Sequence, residues 1–511
     1  MIPSGPPTWL VNPDTSTALS PVVEVTGRGR DGLLVSLSDL HIGGDRGQED
    51  FYCHTEFVAL LDDLDREPGP VTLLINGDLF EFLQVTVPPD ALRVQAIVES
   101  EAHAALFACW REWNTRPGHR TVYLVGNHDA ETGWNAAIGA YLIGRGYVHE
   151  IALGYEHRFT ASVPGDANDA GDAETPAPAF TLYAEHGNED DEQNAIGDYG
   201  HPLVTPLGSY VVTQFVNRVE PLGRFAGPEY ATTLSDVDNI HPSEMIPWWL
   251  LSSLFYRQVR RFAKWVLLPA AVLLAATRFF NAAVLWLTFN VVEDLSFERL
   301  LRYYGFVILD VVVVLGLVLF VLWWDFMRWR RRIGVLEPVQ IIAATREHYH
   351  AACRAYLNGT RRPAHRQGGH APIDVFLFGH NHTAEVCAHD AGGRPTIIGN
   401  SGTWVRKITR LRTHLKMPPV FIPRYDLTYL TAHLTPDGLE VALKRRVKPL
   451  RYHLGWPEQF ATLGNRPPPE RLADAGIVQT VGVERISLPA PVPVPAPAPA
   501  PTREFAVPAD G

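Results

Sequence analysis

Val122-Tyr123-Leu124-Val125-Gly126-Asn127-His128-Asp129 is an apolar run that stops on a glycine and then presents an amide, an imidazole and a carboxylate. A short apolar run bounded by turn residues is the pattern of a buried strand. The arrangement recurs along the chain. Residues 33–38 lead into Asp39-Leu40-His41, 71–75 into Asn76-Gly77-Asp78, 180–184 into Glu185-His186-Gly187, and 375–378 into Gly379-His380-Asn381-His382. Between the runs, residues 51–66 and 91–113 carry apolar side chains at spacings of three and four, which predicts helices. Strand and helix in alternation predict an α/β layer architecture, with the polar groups past the carboxyl ends of strands, where open α/β sheets place their sites.

The chain has 511 residues, enough for two or three domains. Its hydrophobic content of 46% supplies a large core. A net charge of −12 argues against a general nucleic-acid binder, and no nucleic-acid partner is expected. Cys53, Cys109, Cys353 and Cys387 are scattered and form no CxxC pair, so reduced thiols in a cytosolic compartment are expected. The first 21 residues lack a basic segment followed by an apolar core, so no signal peptide is read there. Residues 165–178 read as an acidic, Ala-rich surface loop, and 426–433 with 439–444 as a β-hairpin around Pro436-Asp437-Gly438. The end of the chain is a Pro-Ala tail of polyproline type.

Residues 265–292 and 303–324 depart from this pattern as two long apolar stretches, each exceeding the roughly 20 residues that span a bilayer. Basic clusters flank the pair, Arg257, Arg260, Arg261 and Lys264 before it and Arg328, Arg330, Arg331 and Arg332 after it. Both clusters fall on one side of a two-helix hairpin, which the positive-inside rule makes cytosolic. Because the hairpin lies between His186 and His380, two spans keep both halves of the site on one side of the membrane. Arg278, in the middle of the first stretch, leaves a shallow hairpin within one leaflet open, and a hairpin buried in the protein or against a second subunit is the competing reading. The expected organisation is an N-terminal extension (1–30), a first catalytic part (31–256), a membrane hairpin with basic flanks (257–332), a second catalytic part (333–465) and a disordered tail (488–511).

Asp39 and His41 are two apart at a strand end, and in extended chain residues i and i+2 face the same way. His380 and His382 repeat the spacing. Asp78 offers two oxygens that can bridge two ions, Asn127 a neutral oxygen ligand, and His186 a further nitrogen. The absence of a cysteine from this set favours Mn, Fe or Zn with oxygen and imidazole ligands. The acidic run 189–192 reads as a solvated turn.

Asp39-x-His41, Gly77-Asp78, Gly126-Asn127-His128-Asp129, His186-Gly187 and Gly379-His380-Asn381-His382 resemble the signatures of calcineurin-like metallophosphoesterases. The resemblance implies a two-sheet sandwich flanked by helices (αββα), interrupted here by the membrane hairpin. It implies two divalent metal ions, Mn first, one held by Asp39, His41, Asp78 and His382 and the other by Asp78, Asn127, His186 and His380. His128 would be the acid near the leaving oxygen, oriented by Asp129, with attack on phosphorus by a hydroxide bridging the metals. Residues 78–82 and 186–194 resemble the branch containing UDP-2,3-diacylglucosamine hydrolases, which cleave a lipid-linked pyrophosphate, although that branch tends to carry Arg where this chain has His128. The expected protein is a multi-pass cytoplasmic-membrane phosphoesterase with a cytosolic catalytic domain, membrane lipids as partners, and a phosphorylated small molecule or lipid as substrate. A tethered phosphatase or phosphodiesterase for soluble nucleotides or phosphoproteins, and a non-catalytic scaffold on the same fold, are the alternatives.

Overall fold

The computed structural model describes residues 20–28, 32–44, 49–88, 91–160, 179–202, 204–210, 239–240, 245–262, 268–289, 346–366, 371–414, 417–467 and 470–488, with isolated positions at 213 and between 305 and 328. The loop expected at 165–178 and the tail from 489 lie outside them, as does most of the second apolar stretch. The strands are β1 (Ser20–Arg28), β2 (Leu33–Leu37), β3 (Val71–Asn76), β4 (His119–Leu124), β5 (Glu150–Thr160), β6 (Ala179–Glu185), β7 (Val375–Phe378), β8 (Glu385–Asp390), β9 (Pro395–Asn400), β10 (Arg406–Leu411), β11 (Val420–Tyr425), β12 (Leu427–Thr435), β13 (Gly438–Arg446) and β14 (Val478–Ser487). All but β10 and β11 join one sheet in the order β14-β13-β12-β2-β3-β4-β5-β6-β7-β9-β8, with β1 beside β5, while β10 and β11 form a separate antiparallel pair.

The layers expected as two sheets are therefore two halves of one. Strand β5 makes the connection: Glu150–Ala152 pair in parallel with β4, while Gly154–Thr160 pair antiparallel with β6. Leu34, Leu74 and Val122 from one half share a buried cluster with Leu182, Val375, Leu377 and Ile397 from the other. The alternate side chains face helices. Val35, Leu73, Ile75 and Tyr123 pack with Phe57, Leu60 and Leu64 of α1 (His54–Leu64) and Phe107 and Trp110 of a second helix, Ala104–Asn114. On the far side, Tyr183, Phe376 and Phe378 pack against Tyr349, Cys353 and Tyr356 of the helix Arg346–Leu357. The pleat sends neighbouring residues to opposite faces, and both faces of these strands are apolar because both are covered.

Several boundaries differ from the sequence reading. The helix expected over 91–113 is broken into Arg93–Val98 and Ala104–Asn114. Ser100 Oγ accepts from the His103 N–H at 3.3 Å, giving the backbone a partner outside either helix. Strand β1 lies inside the segment read as an N-terminal extension and runs parallel to β5. Strand β14 follows the expected end of the second catalytic part and pairs antiparallel with β13, while β12 and β13 form the anticipated hairpin. The helix Ile246–Phe262 runs through the boundary set at 256 and buries Trp249 and Tyr256. No helix among the described residues is long and apolar enough to cross a membrane. The helix Leu268–Phe289 nonetheless turns Leu273, Phe279 and Phe280 outward, each 67% exposed. All four cysteines are free.

Candidate metal centre

Strands β2, β3 and β4 run parallel, as do β6 and β7, so their carboxyl ends supply the polar groups at the rim where the two halves of the sheet meet. The convergence does not come from the pleat. Asp39, His41, Asp78, His380 and His382 have φ of 53°, 48°, 51°, 63° and 57°, all left-handed, where the i, i+2 rule of extended chain does not apply. Non-glycine residues enter this region at a cost of order 1–3 kcal/mol each and persist where surrounding bonds hold them. Here the Asp39 N–H donates to Gly77 O at 3.1 Å, and the Leu40 and His41 N–H groups donate to Asp78 O at 2.9 and 3.0 Å. Thr403 Oγ1 donates to Asp39 O at 2.6 Å, and the His380 N–H to Asp39 Oδ2 at 3.1 Å. The loops after β2, β3, β7 and β9 thus lock one another.

Gly77 and Gly126 are required by the same crowding. A Cβ on Gly77 would collide with the His186 ring, and one on Gly126 with Asp78 Oδ1; Gly77 also has φ of 86°.

Three overlapping sets result, within each of which the ligand atoms lie within 4.8 Å of one another: Asp39, His41 and His382; His41, Asp78 and His128; Asp78, His186 and His380. Asp78 belongs to two of them. His382 Nε2 is 3.0 Å from Asp39 Oδ1, and His186 Nε2 is 3.1 Å from Asp78 Oδ2. Asn127 is buried beside them, and its Oδ1 has no hydrogen-bond donor. An unpaired buried amide oxygen costs about 1–3 kcal/mol, and a cation is the partner this one lacks. By donor chemistry and by this orphan oxygen, the residues fit divalent metal ions.

Electrostatics point the same way. Burial would raise the Asp39 and Asp78 carboxyls, but His382 holds Asp39 at about 2, and His186 with His128 holds Asp78 well below the usual range. Burial would lower His186, yet Asp78 and Asp39 push it up to about 9. Burial prevails at His382, lowering it to about 4 against the pull of Asp39. The site is a pair of buried carboxylates that demands positive charge.

Glu81 is the residue at this site that the sequence reading missed. Its Oε2 takes His41 Nδ1 at 3.0 Å and His128 Nδ1 at 2.6 Å, and together these histidines overcome the effect of burial and hold its carboxyl at about 2. The expectation that Asp129 orients His128 is corrected by this geometry. Asp129 Oδ1 instead accepts from the Gly126 N–H at 2.7 Å, and Oδ2 from the Leu79 and Phe80 N–H groups at 2.7 and 3.3 Å. Asp129 therefore shapes the loops carrying Asp78 and Asn127. The run read as a solvated turn is also tied down: Asp190 accepts from Tyr356 Oη at 2.8 Å and pairs with Arg361 at 2.7 Å, and Asp191 Oδ2 is 3.3 Å from His380 Nε2. Both aspartates are buried.

Residues 34–213 match the family model described as Calcineurin-like phosphoesterase. This part of the chain is similar to calcineurin-like phosphoesterases. The match covers Asp39, His41, Asp78, Asn127, His128 and His186, while His380 and His382 come from beyond it, on the second half of the same sheet. Proteins of this family bind divalent metals and hydrolyse phosphoesters. No curated protein matches the chain.

Proposed function

We propose that this protein is a binuclear metal-dependent phosphoesterase hydrolysing a phosphate ester or pyrophosphate, with Asp39, His41, Asp78 and His382 holding one ion and Asp78, Asn127, His186 and His380 the other. The observation that carries the reading is the carboxylate of Asp78, common to two ligand groups and bonded by the N–H of His128, the residue after Asn127, whose Oδ1 is orphaned. Such ions, with Mn the first expectation and Fe or Zn alternatives, supply Lewis acidity and an activated water at neutral pH.

The protein's own groups have distinct tasks. Glu81 fixes the imidazoles of His41 and His128 through their Nδ1 atoms, which directs each Nε2 the opposite way. The His128 side chain is 21% exposed, against 8% for His41, so His128 is the histidine that reaches the solvent side of the centre. There it gives a proton to the leaving oxygen, a role typically contributing 10²–10⁴-fold. Asp191 stands against His380 Nε2 in the same manner as Glu81 against His41.

A lipid-linked substrate, and a hairpin that meets the bilayer, belong to the same proposal. The exposed Leu273, Phe279, Phe280 and Leu287 of the helix Leu268–Phe289 support lipid contact, since several large apolar side chains exposed on one helix mark an interaction surface. The test is metal-dependent hydrolysis of bis-p-nitrophenyl phosphate beside a panel of lipid pyrophosphates and nucleotides. Turnover that survives metal removal overturns the catalytic reading, and cleavage confined to nucleotides overturns the lipid substrate. Labelling of Ser296→Cys from outside intact cells supports a full span.

A further inference from the structure

We infer that residues 456–463 form a second lipid-contact patch, separate from the hairpin, that seats the domain on an anionic leaflet. The inference rests on the lipid-contact reading of the helix Leu268–Phe289. Trp456, Phe460 and Leu463 recur at i, i+4 and i+7 along the helix Trp456–Ala461 and its trailing turn, and they are 52%, 53% and 56% exposed. Pro457, Ala461 and Thr462 are buried instead, Ala461 in a cluster with Tyr256, Leu411, Val420 and Ile422. The helix is thus anchored through its smallest side chains and presents its largest apolar ones outward. A helix serving only the core would do the reverse.

The rim of the patch is basic, although the whole chain carries −12. Glu458, the acidic residue of the helix, is paired with Arg260 at 3.4 Å. Arg466 Nη2 donates to Gln459 O at 3.1 Å, and Asn465 Nδ2 donates to the carbonyl of the exposed Arg412 at 3.2 Å. Aromatic and aliphatic groups enter the acyl boundary while guanidiniums meet phosphate headgroups, each basic group near an anionic surface contributing about 1 kcal/mol. Continuity favours lipid over a protein partner: Arg260 belongs to the helix Ile246–Phe262, and only residues 263–267 separate that helix from the exposed apolar one.

The test uses the full chain with Cys109→Ser and Cys387→Ser, carrying an environment-sensitive fluorophore at Phe460→Cys, or at Leu273→Cys to report the hairpin separately. Vesicles are phosphatidylcholine with or without phosphatidylglycerol, and a label on native Cys109, which is exposed, is the control. The expected result is a blue shift at 460 that needs the anionic lipid, with none at Cys109. Trp456→Ser with Leu463→Ser should raise the lipid concentration needed for that shift by on the order of a hundredfold, because each buried side chain contributes roughly tenfold or more. If 460 stays in water while 273 enters lipid, the patch is overturned and the hairpin reading stands. If 460 shifts and 273 does not, the hairpin reading falls and the continuity argument with it, and the patch is left to its own exposed side chains and basic rim; if neither shifts, both fall. An equal shift on uncharged vesicles overturns the anionic assignment.

Discussion

Replacing Glu81 with glutamine isolates the residue that links His41, the proposed metal ligand, to His128, the proposed acid. One carboxylate oxygen accepts from both imidazoles, at 3.0 and 2.6 Å, from a side chain only 5% exposed. Glutamine keeps the shape and one acceptor but removes the charge. Hydrogen bonds to a charged group contribute about 1.5–3 kcal/mol against about 0.5–1.5 for neutral ones. Each bond therefore weakens by roughly 1–1.5 kcal/mol, about five- to tenfold, so the share at His41 sits near the lower end of the 10–100-fold losses typical when the partner of a metal-bound histidine is removed. The assay is Mn titration calorimetry beside hydrolysis of bis-p-nitrophenyl phosphate. We expect Glu81→Gln to lose about tenfold in metal affinity, and further turnover at saturating metal. In a His128→Ala background the turnover part should largely vanish, since that bond no longer has its donor. Wild-type affinity and wild-type turnover in Glu81→Gln would refute the coupling of these histidines through one carboxylate.

Other outcomes follow from the same geometry. His128→Ala should keep its metal while turnover falls by roughly 10²–10⁴-fold, measured by elemental analysis beside kinetics; full activity would remove His128 from the mechanism. Gly126→Ala drives a methyl group into Asp78 Oδ1, so metal loading should collapse even where circular dichroism shows an intact fold. His157 is buried and, by that burial and then by the charge of Arg120, lowered from 6.5 to about 4. The unfolded chain binds this proton below pH 6.5 and the folded chain only near pH 4. Stability should thus fall by about 3 kcal/mol between those values at 1.36 kcal/mol per unit. His157→Gln should flatten that part of a urea-denaturation profile taken against pH, and an unchanged slope would contradict the assignment.

The sequence exposes some parts of this molecule more readily than others, for physical reasons. Strands β2, β3, β4, β6 and β7 are legible because each is an apolar run ended by turn residues, and burial on both faces enforces that composition. Strand β5 is not, because Glu156, His157 and Arg158 interrupt it; Glu156 is kept buried by Arg158 at 2.9 Å, two residues on, and by Arg366 at 2.8 Å, which arrives from far along the chain where no local pattern reveals it. The proposed ligand residues are visible as types at strand ends, but the i, i+2 rule does not aim Asp39 and His41, because their backbone is left-handed. Glu81 carries a signal of its own. A carboxylate inside Leu79-Phe80-Glu81-Phe82 is too costly to bury without cationic or donor partners. Asp190 and Asp191 look solvated in an acidic run, yet their partners Tyr356, Arg361 and His380 arrive from far along the chain.

The most direct measurement is the metal content of the purified chain beside that of Asp78→Asn, by elemental analysis after exhaustive dialysis. A carboxylate common to both ligand groups predicts two ions per wild-type chain and neither retained at full occupancy in the variant. A metal-free wild type, or a variant that still holds two ions, would contradict a centre built around Asp78.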